Sequence, residues 1–306
     1  MMSKTHDSKV NVPLLRISVA ILAYNAEKYI RDAVTSIINQ DYPGEIEIVI
    51  AYDKGSTDKT LQILDEIKES LPPHRKIVIF QHEHTTPFRA RVYCLEKFTG
   101  DYVHLFDYDN IMPPDRISKV VEHIRRTGSE FLFSNAKVID ANGHDTGRTL
   151  VSIKNPYDIL RLIRGNFVDI NTIVISQQCA KKLKNILTKL RHRFFDWIFE
   201  DWLLALLAMK HCNVHYMNDT VILYRIHEEN ITAIPSFLTR LFNIERTLKT
   251  LVAFYALEHN NLSVLEKIEL LKCIFRRLLS LLKKLALIIA TVEMKIIYSA
   301  EEADRL

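Results

Sequence analysis

Residues 102–110 read Tyr102-Val103-His104-Leu105-Phe106-Asp107-Tyr108-Asp109-Asn110, a short apolar strand running into two carboxylates one residue apart. Side chains at i and i+2 of a strand share a face. Asp107 and Asp109 therefore project toward one ligand if extended backbone continues through them. Two carboxylates on one face repel each other and call for a cation or a proton between them. Mg²⁺ and Mn²⁺ take oxygen donors of this kind together with substrate phosphates. A strand ending in a polar turn is the plainer reading of the same residues, and the flanking chain has to decide.

Working outward, strand and helix alternate. Residues 17–23 form a run of apolar residues consistent with a buried strand, and Asn25 is placed to cap a following helix with Ile30, Ala33, Val34, Ile37 and Ile38 on one face. Residues 46–51 form a second strand, and residues 53–58 a loop in which Ser56 and Thr57 serve as caps of the next helix. Residues 76–80 form a third strand, which leaves His82 and His84 in the loop beyond it. A helix over 89–98 leads into the acidic strand, and Pro113-Pro114 opens another helix. This alternation predicts an α/β fold with a mostly parallel sheet and flanking helices. Ligands of such sheets bind at the carboxyl ends of the strands. Tyr24, Asp53 and Asp107 each follow a predicted strand, so they are expected to converge there. Further strands are predicted at 131–134, 168–175 and 221–226, with a helix over 201–210. From Ser236 onward the chain is helical and rich in Leu, Ile and Lys. The predicted organisation is a polar tail over 1–14, one domain over 15–235 and a helical extension over 236–306.

Composition excludes several classes. With 48% hydrophobic and 25% charged residues, the 306-residue chain is ordinary globular material. A net charge of +4 is too mild to imply nucleic acid. The seven glycines form neither a dinucleotide fingerprint nor a P-loop. Cys94, Cys179, Cys212 and Cys273 form no CxxC pair, which predicts reduced thiols, a reducing compartment and no structural zinc. No apolar run is long enough to span a membrane and no signal peptide is read at the start.

Together these segments resemble the family-2 glycosyltransferases of the GT-A fold, nucleotide-diphospho-sugar transferases. Ser18 to Asn25 is similar to the family's first strand and Tyr-Asn turn. Asp53-Lys54-Gly55-Ser56-Thr57-Asp58 resembles its Asp-Asp-Gly-Ser-Thr-Asp loop. Gly100 to Asp109 looks like its Gly-Glu-Tyr strand and DxD. Glu200-Asp201-Trp202 resembles its Glu-Asp-Tyr/Trp helix start, and Tyr224-Arg225-Ile226-His227 its Tyr-Arg-x-His strand end. Each motif is weak alone; their shared order over residues 15–235 is not. Lys54, Val92 and Asn110 depart from the pattern, while Asp53, Asp107 and Asp109 keep it.

The resemblance implies roles. Tyr24, Asn25, Glu27, Asp53, Arg91 and Asp107 would bind the nucleotide, with Tyr24 stacking on the base and Asp53 accepting a hydrogen bond from it. Arg91 reads equally as an exposed helical arginine. Asp109 and His227 would hold Mn²⁺ or Mg²⁺, and Asp201 would be the catalytic base. The implied reaction is metal-dependent, inverting sugar transfer from a nucleotide-diphosphate donor, UDP-linked, to a growing surface glycan, on lipopolysaccharide or lipid-linked. The alternatives are a non-catalytic nucleotide- or glycan-binding subunit and a sugar-phosphate nucleotidyltransferase. The expected location is cytoplasmic. Lys267, Lys272, Arg276, Arg277, Lys283 and Lys284 lie among leucines and isoleucines near the C-terminus. That pattern fits an anionic membrane surface, the domain itself or a second subunit in a homo-oligomer.

Overall fold

A computed structural model describes residues 13–190, 192–228, 230 and 237–303, without the side chains of 237, 238, 285 and 287–303. Strands β1 (Ile17–Ala23), β2 (Ile46–Asp53), β3 (Arg75–His82) and β4 (Tyr102–Asp107) alternate with helices α1 (Ile30–Ile38), α2 (Thr60–Lys68) and α3 (Pro87–Lys97). Then follow α4 (Arg116–Thr127), β5 (Phe131–Ile139), β6 (Asp145–Thr149), α5 (Ile159–Arg164), β7 (Val174–Ser176), α6 (Gln177–Leu187), α7 (Glu200–His211) and β8 (Val214–Arg225). Two long helices, α8 (Phe237–Glu258) and α9 (Val264–Ala303), come last.

The strands form one sheet in the order β3-β2-β1-β4-β7-β5-β6, with β8 on the other side of β5. The pairs β1–β2, β1–β4, β2–β3 and β5–β8 are parallel, and β7 is antiparallel to both its neighbours. The fold is the expected α/β, GT-A type sheet. Its two faces follow from the period of two along each strand. Ile17, Val19 and Ile21 pack with Ile46, Ile48 and Ile50 beneath α1 and α2, while Ala20, Val49, Val103 and Leu105 face α3, α6 and α7. α4 ends at Gly128, whose φ of 61° is the left-handed conformation that lets its N–H reach the Ile124 carbonyl at 2.8 Å.

Several local expectations are corrected. The strand expected over 168–175 shrinks to β7, because Asp169 caps a short 3-10 turn at Ile170–Thr172. Asn25 does not cap α1, which starts at Ile30 behind Tyr29. Ser56 and Thr57 do not cap α2; they bond to Asn25 across the neighbouring loop. His82 is the last residue of β3 rather than a loop residue. Cys179 and Cys212 form a disulfide between α6 and the end of α7, against the expectation of free thiols throughout, because the fold brings residues 33 apart into contact. Cys94 and Cys273 are free and buried. The expected boundary near 235 and nearly all of the tail over 1–14 lie outside the described residues. Among the described residues, no helix is long and apolar enough to cross a membrane.

Candidate active site

Register places the first site residues side by side. Leu22 of β1 pairs with Asp107 of β4, and Ala23 pairs with Tyr52 of β2, one residue before Asp53. Tyr24, Asp53 and Asp107 therefore share the carboxyl edge of three adjacent strands.

The loop after β1 is stitched to the loop after β2. Asn25 adopts φ 46°, a left-handed conformation that asparagine tolerates better than most residues. This turns its backbone N–H to Ser56 Oγ at 3.2 Å and its Oδ1 to the Thr57 N–H at 2.9 Å. Glu27 completes the seam, since its N–H donates to Asp58 Oδ2 at 2.8 Å and its Oε2 accepts from the Lys59 N–H at 3.0 Å. Asn25 and Glu27 thus hold the two loops together. Tyr24 is 45% exposed, with its ring 5.0 Å from that of His84. Asp53 is buried; its Oδ1 accepts from the Gly55 N–H at 2.8 Å and its Oδ2 from His84 Nδ1 at 3.0 Å. The Asp53 carboxylate is thus shared between its own loop and His84 of the loop after β3.

The acidic pair is held by residues from distant segments. Arg91 of α3 is not an exposed helical arginine: it is fully buried and donates from Nη2 to Asp107 Oδ1 at 2.7 Å. Burial opposes its charge, yet Asp107 and Glu200 keep its pKa above the ordinary value. Asn171 grips Asp107 from the other side, taking the Asp107 N–H on Oδ1 at 2.6 Å and donating to Asp107 Oδ2 at 3.1 Å. Asp169 in turn orients Asn171 through two 3.0 Å bonds. Asp169-Ile170-Asn171 went unnoticed because it sat inside an expected strand; its acid-x-amide spacing was the available signal.

Asp109 turns inward and meets His227, with Oδ2 3.1 Å from His227 Nε2 and 3.4 Å from Asn230 Nδ2. Asn110 donates to Asp109 Oδ1 at 2.9 Å and accepts the Arg225 N–H at 2.9 Å. Arg225 pins the turn further by donating from Nε to the Asp109 carbonyl at 2.9 Å. The Arg-x-His spacing at the end of β8 thus has a structural reason: Arg225 fixes the backbone of the acidic turn and His227 meets its side chain. Tyr29 lies beside both, 4.7 Å from the His227 ring and 4.8 Å from the Arg225 guanidinium.

The helix α7 begins with Glu200 and Asp201. Asp201 Oδ2 accepts from Asn166 Nδ2 at 2.8 Å, and Oδ1 accepts from the Trp202 N–H at 2.7 Å. Arg246 of α8 stands 3.8 Å from Glu200 and stacks on Phe199.

The charges of this cluster are coupled. Desolvation, then the neighbouring Asp107, pushes Asp109 up to about 6 against the pull of His227. The same two causes bring Asp169 up to about 7. Desolvation, with Glu200 and Asp169, raises Asp201 to about 8. Desolvation also raises Glu200, with Arg91 opposing. A group of carboxylates that resist ionisation together is a place where added positive charge is stabilised. Asp109 and His227 offer it one oxygen and one nitrogen donor, while His227 Nδ1 is buried without a hydrogen-bond partner. Among the described residues, no group of three or more His, Cys, Asp or Glu could enclose a metal ion. The donor set therefore suits a hard cation that completes its shell with ligand oxygens and water, the habit of Mg²⁺ beside phosphates.

The family model for glycosyl transferase family 2 matches residues 18–189. An uncharacterized glycosyltransferase of Haemophilus influenzae is 30% identical over 175 residues, covering 57% of this chain and 67% of that protein. The poly(ribitol-phosphate) beta-N-acetylglucosaminyltransferase TarS of Staphylococcus aureus is 28% identical over 131 residues, 42% of this chain but only 22% of TarS. The structure of TarS 1–349 in complex with UDP-GlcNAc superposes with a TM-score of 0.61 at 20% identity, covering 87% of this chain and 73% of that one. The mannosyltransferase PcManGT of Pyrobaculum calidifontis, in complex with GDP-Man and Mn²⁺, gives 0.54 at 16% identity, covering 93% of this chain and 81% of that one. At these identities the structural likeness establishes the fold.

Proposed function

Because the chain belongs to glycosyl transferase family 2, we propose that it moves a sugar from a UDP-linked donor to a hydroxyl of a growing surface glycan or lipid-linked saccharide, with inversion at the anomeric carbon. The observation that carries the reading is the meeting of Asp109 and His227 at 3.1 Å, two residues on from Asp107. Tyr24 supplies an exposed ring for the base, and Arg91 and Asn171 clamp Asp107 two residues ahead of Asp109. The UDP-GlcNAc bound by TarS supports the donor class, and its polyol-phosphate acceptor supports a surface polymer.

Asp109 and His227 would hold Mn²⁺ or Mg²⁺, which, when bound, offsets charge developing on the departing diphosphate. Asp201 takes the proton from the acceptor hydroxyl as that oxygen forms its bond to the anomeric carbon. Its link to the acidic strand end runs through Asp169, whose charge acts on Asp201 and whose side chain orients the Asn171 that holds Asp107. A base must be ionised to act, and desolvation with the nearby Glu200 and Asp169 raises Asp201 to about 8. Arg246 and bound cationic charge both favour the ionised form.

A melting-temperature screen of UDP, GDP and their sugars, with and without Mn²⁺, tests the reading. A ligand at 100 times its Kd adds about 2.7 kcal/mol. A Mn²⁺-dependent rise with UDP compounds is expected. No rise with any nucleotide would refute the donor assignment.

A further inference from the structure

The helix α9 buries one face on its own domain and leaves the opposite face bare. Glu266, Leu270 and Cys273 are buried against the domain, whereas Val264, Leu265, Ile268, Leu271, Phe275, Leu278, Leu279 and Leu282 are between 41% and 72% exposed. Taking about 200 Å² for a fully exposed large apolar residue, these eight leave roughly 900 Å² open. The largest apolar patch of a typical monomer is about 300–600 Å². A standard protein interface takes about 800 Å² from each partner. A patch of this size needs an occupant.

The spacing says which. Val264, Ile268, Leu271, Phe275, Leu278 and Leu282 recur at alternating steps of four and three, and Leu285, Ile289, Val292 and Ile296 continue the steps in sequence. That is an unbroken a/d heptad pattern, the signature of helices that supercoil about one another. A straight helix drifts about 20° per heptad against such a repeat. From Val264 to Val292 the stripe would turn by roughly 80° and leave a flat surface, whereas a supercoil keeps it in the seam. The charges also argue against an anionic lipid layer along the whole helix, because Glu293, Glu301 and Glu302 follow the basic stretch. Finally, Glu266 and Cys273 occupy the f position of the repeat, so the domain hangs on the outside of the seam and does not block it.

We propose that α9 pairs along this face with α9 of a second copy of the same chain, forming a coiled coil that carries the sheet domains on its outside. The inference does not rest on the sugar-transfer reading.

The test is the mass of the full chain in solution by sedimentation equilibrium, for four proteins. The parent is expected at a multiple of the 35.6 kDa chain mass at micromolar concentration. The seam variant Leu271→Glu/Leu278→Glu is expected to be monomeric, with helical circular dichroism retained. Should the pair prove too disruptive to fold, the single Leu282→Glu variant should weaken association at least tenfold. The flank variant Lys272→Ala/Arg276→Ala is expected to associate like the parent. A monomeric parent overturns the proposal, and so does an oligomer that survives both seam variants. A monomer that binds phosphatidylglycerol vesicles, and loses them in the flank variant, would also overturn it and assign the face to membrane.

Discussion

Replacing Asp201 by asparagine should slow the enzyme and stabilise the protein. The stability effect follows from the site's electrostatics. Burial, Glu200 and Asp169 raise the Asp201 carboxyl from 3.8 to about 8. Between those values the folded protein holds a proton that the unfolded chain releases, so stability falls as pH rises through that window. At pH 7 about three pH units of the window have been crossed. At about 1.4 kcal/mol per unit, this sets an upper bound of roughly 4 kcal/mol. Asparagine removes that penalty because it never ionises. It also loses one of two acceptor oxygens, those now serving the Trp202 N–H and Asn166 Nδ2, at about 1 kcal/mol. A net gain of about 1–3 kcal/mol remains, which at about 2–4 °C per kcal/mol is a rise of several degrees in Tm. The gain should be near zero at pH 4 and largest by pH 8. Meanwhile, turnover should drop about 10²–10⁴-fold, the typical worth of a general base. Calorimetry from pH 4 to 8 and transfer assays on one preparation decide both halves. A variant less stable than the parent at pH 8, or a gain that does not grow with pH, would refute the desolvated carboxylate. Turnover above about a tenth of the parent would place the base elsewhere, with Glu200 next.

In the parent, kcat/KM should climb as pH rises toward about 8, since the proposed base Asp201 would act only when ionised. EDTA should abolish transfer and Mn²⁺ or Mg²⁺ should restore it, while Asp109→Ala should remove the metal dependence of UDP affinity measured by calorimetry; full activity in EDTA would end the metal proposal. Arg91→Met removes the ion-pair partner of Asp107 and leaves Glu200 with Arg246 alone. Because Asp107 is one-third exposed, the loss should fall toward the low end of about 3–5 kcal/mol, read as a Tm drop on the order of 10 °C. Tyr24→Ala should weaken UDP binding severalfold without moving Tm, since the ring is exposed; unchanged affinity would move the base away from it.

The sequence by itself determined the alternating strands and helices from β1 to α4, since buried strands and amphipathic helices announce themselves by local period. It also marked the residues at strand ends, because a parallel sheet puts those ends on one edge: Tyr24, Asp53 and Asp107 needed no coordinates to be placed together. Only the tertiary structure decided which groups restrain them. Arg91 looks like any helical arginine until α3 packs it under Asp107, and Asn171 reads as strand until Asp169 folds the chain into a turn. The Cys179–Cys212 bridge likewise depends on α6 lying beside α7. Such partners are set by long-range packing, where a side chain's role depends on what lies across from it and not on its neighbours in the chain. The bare face of α9 is a case between the two. Its heptad is legible in the sequence, but the structure shows that the protein's own domain covers the opposite side and leaves the seam open.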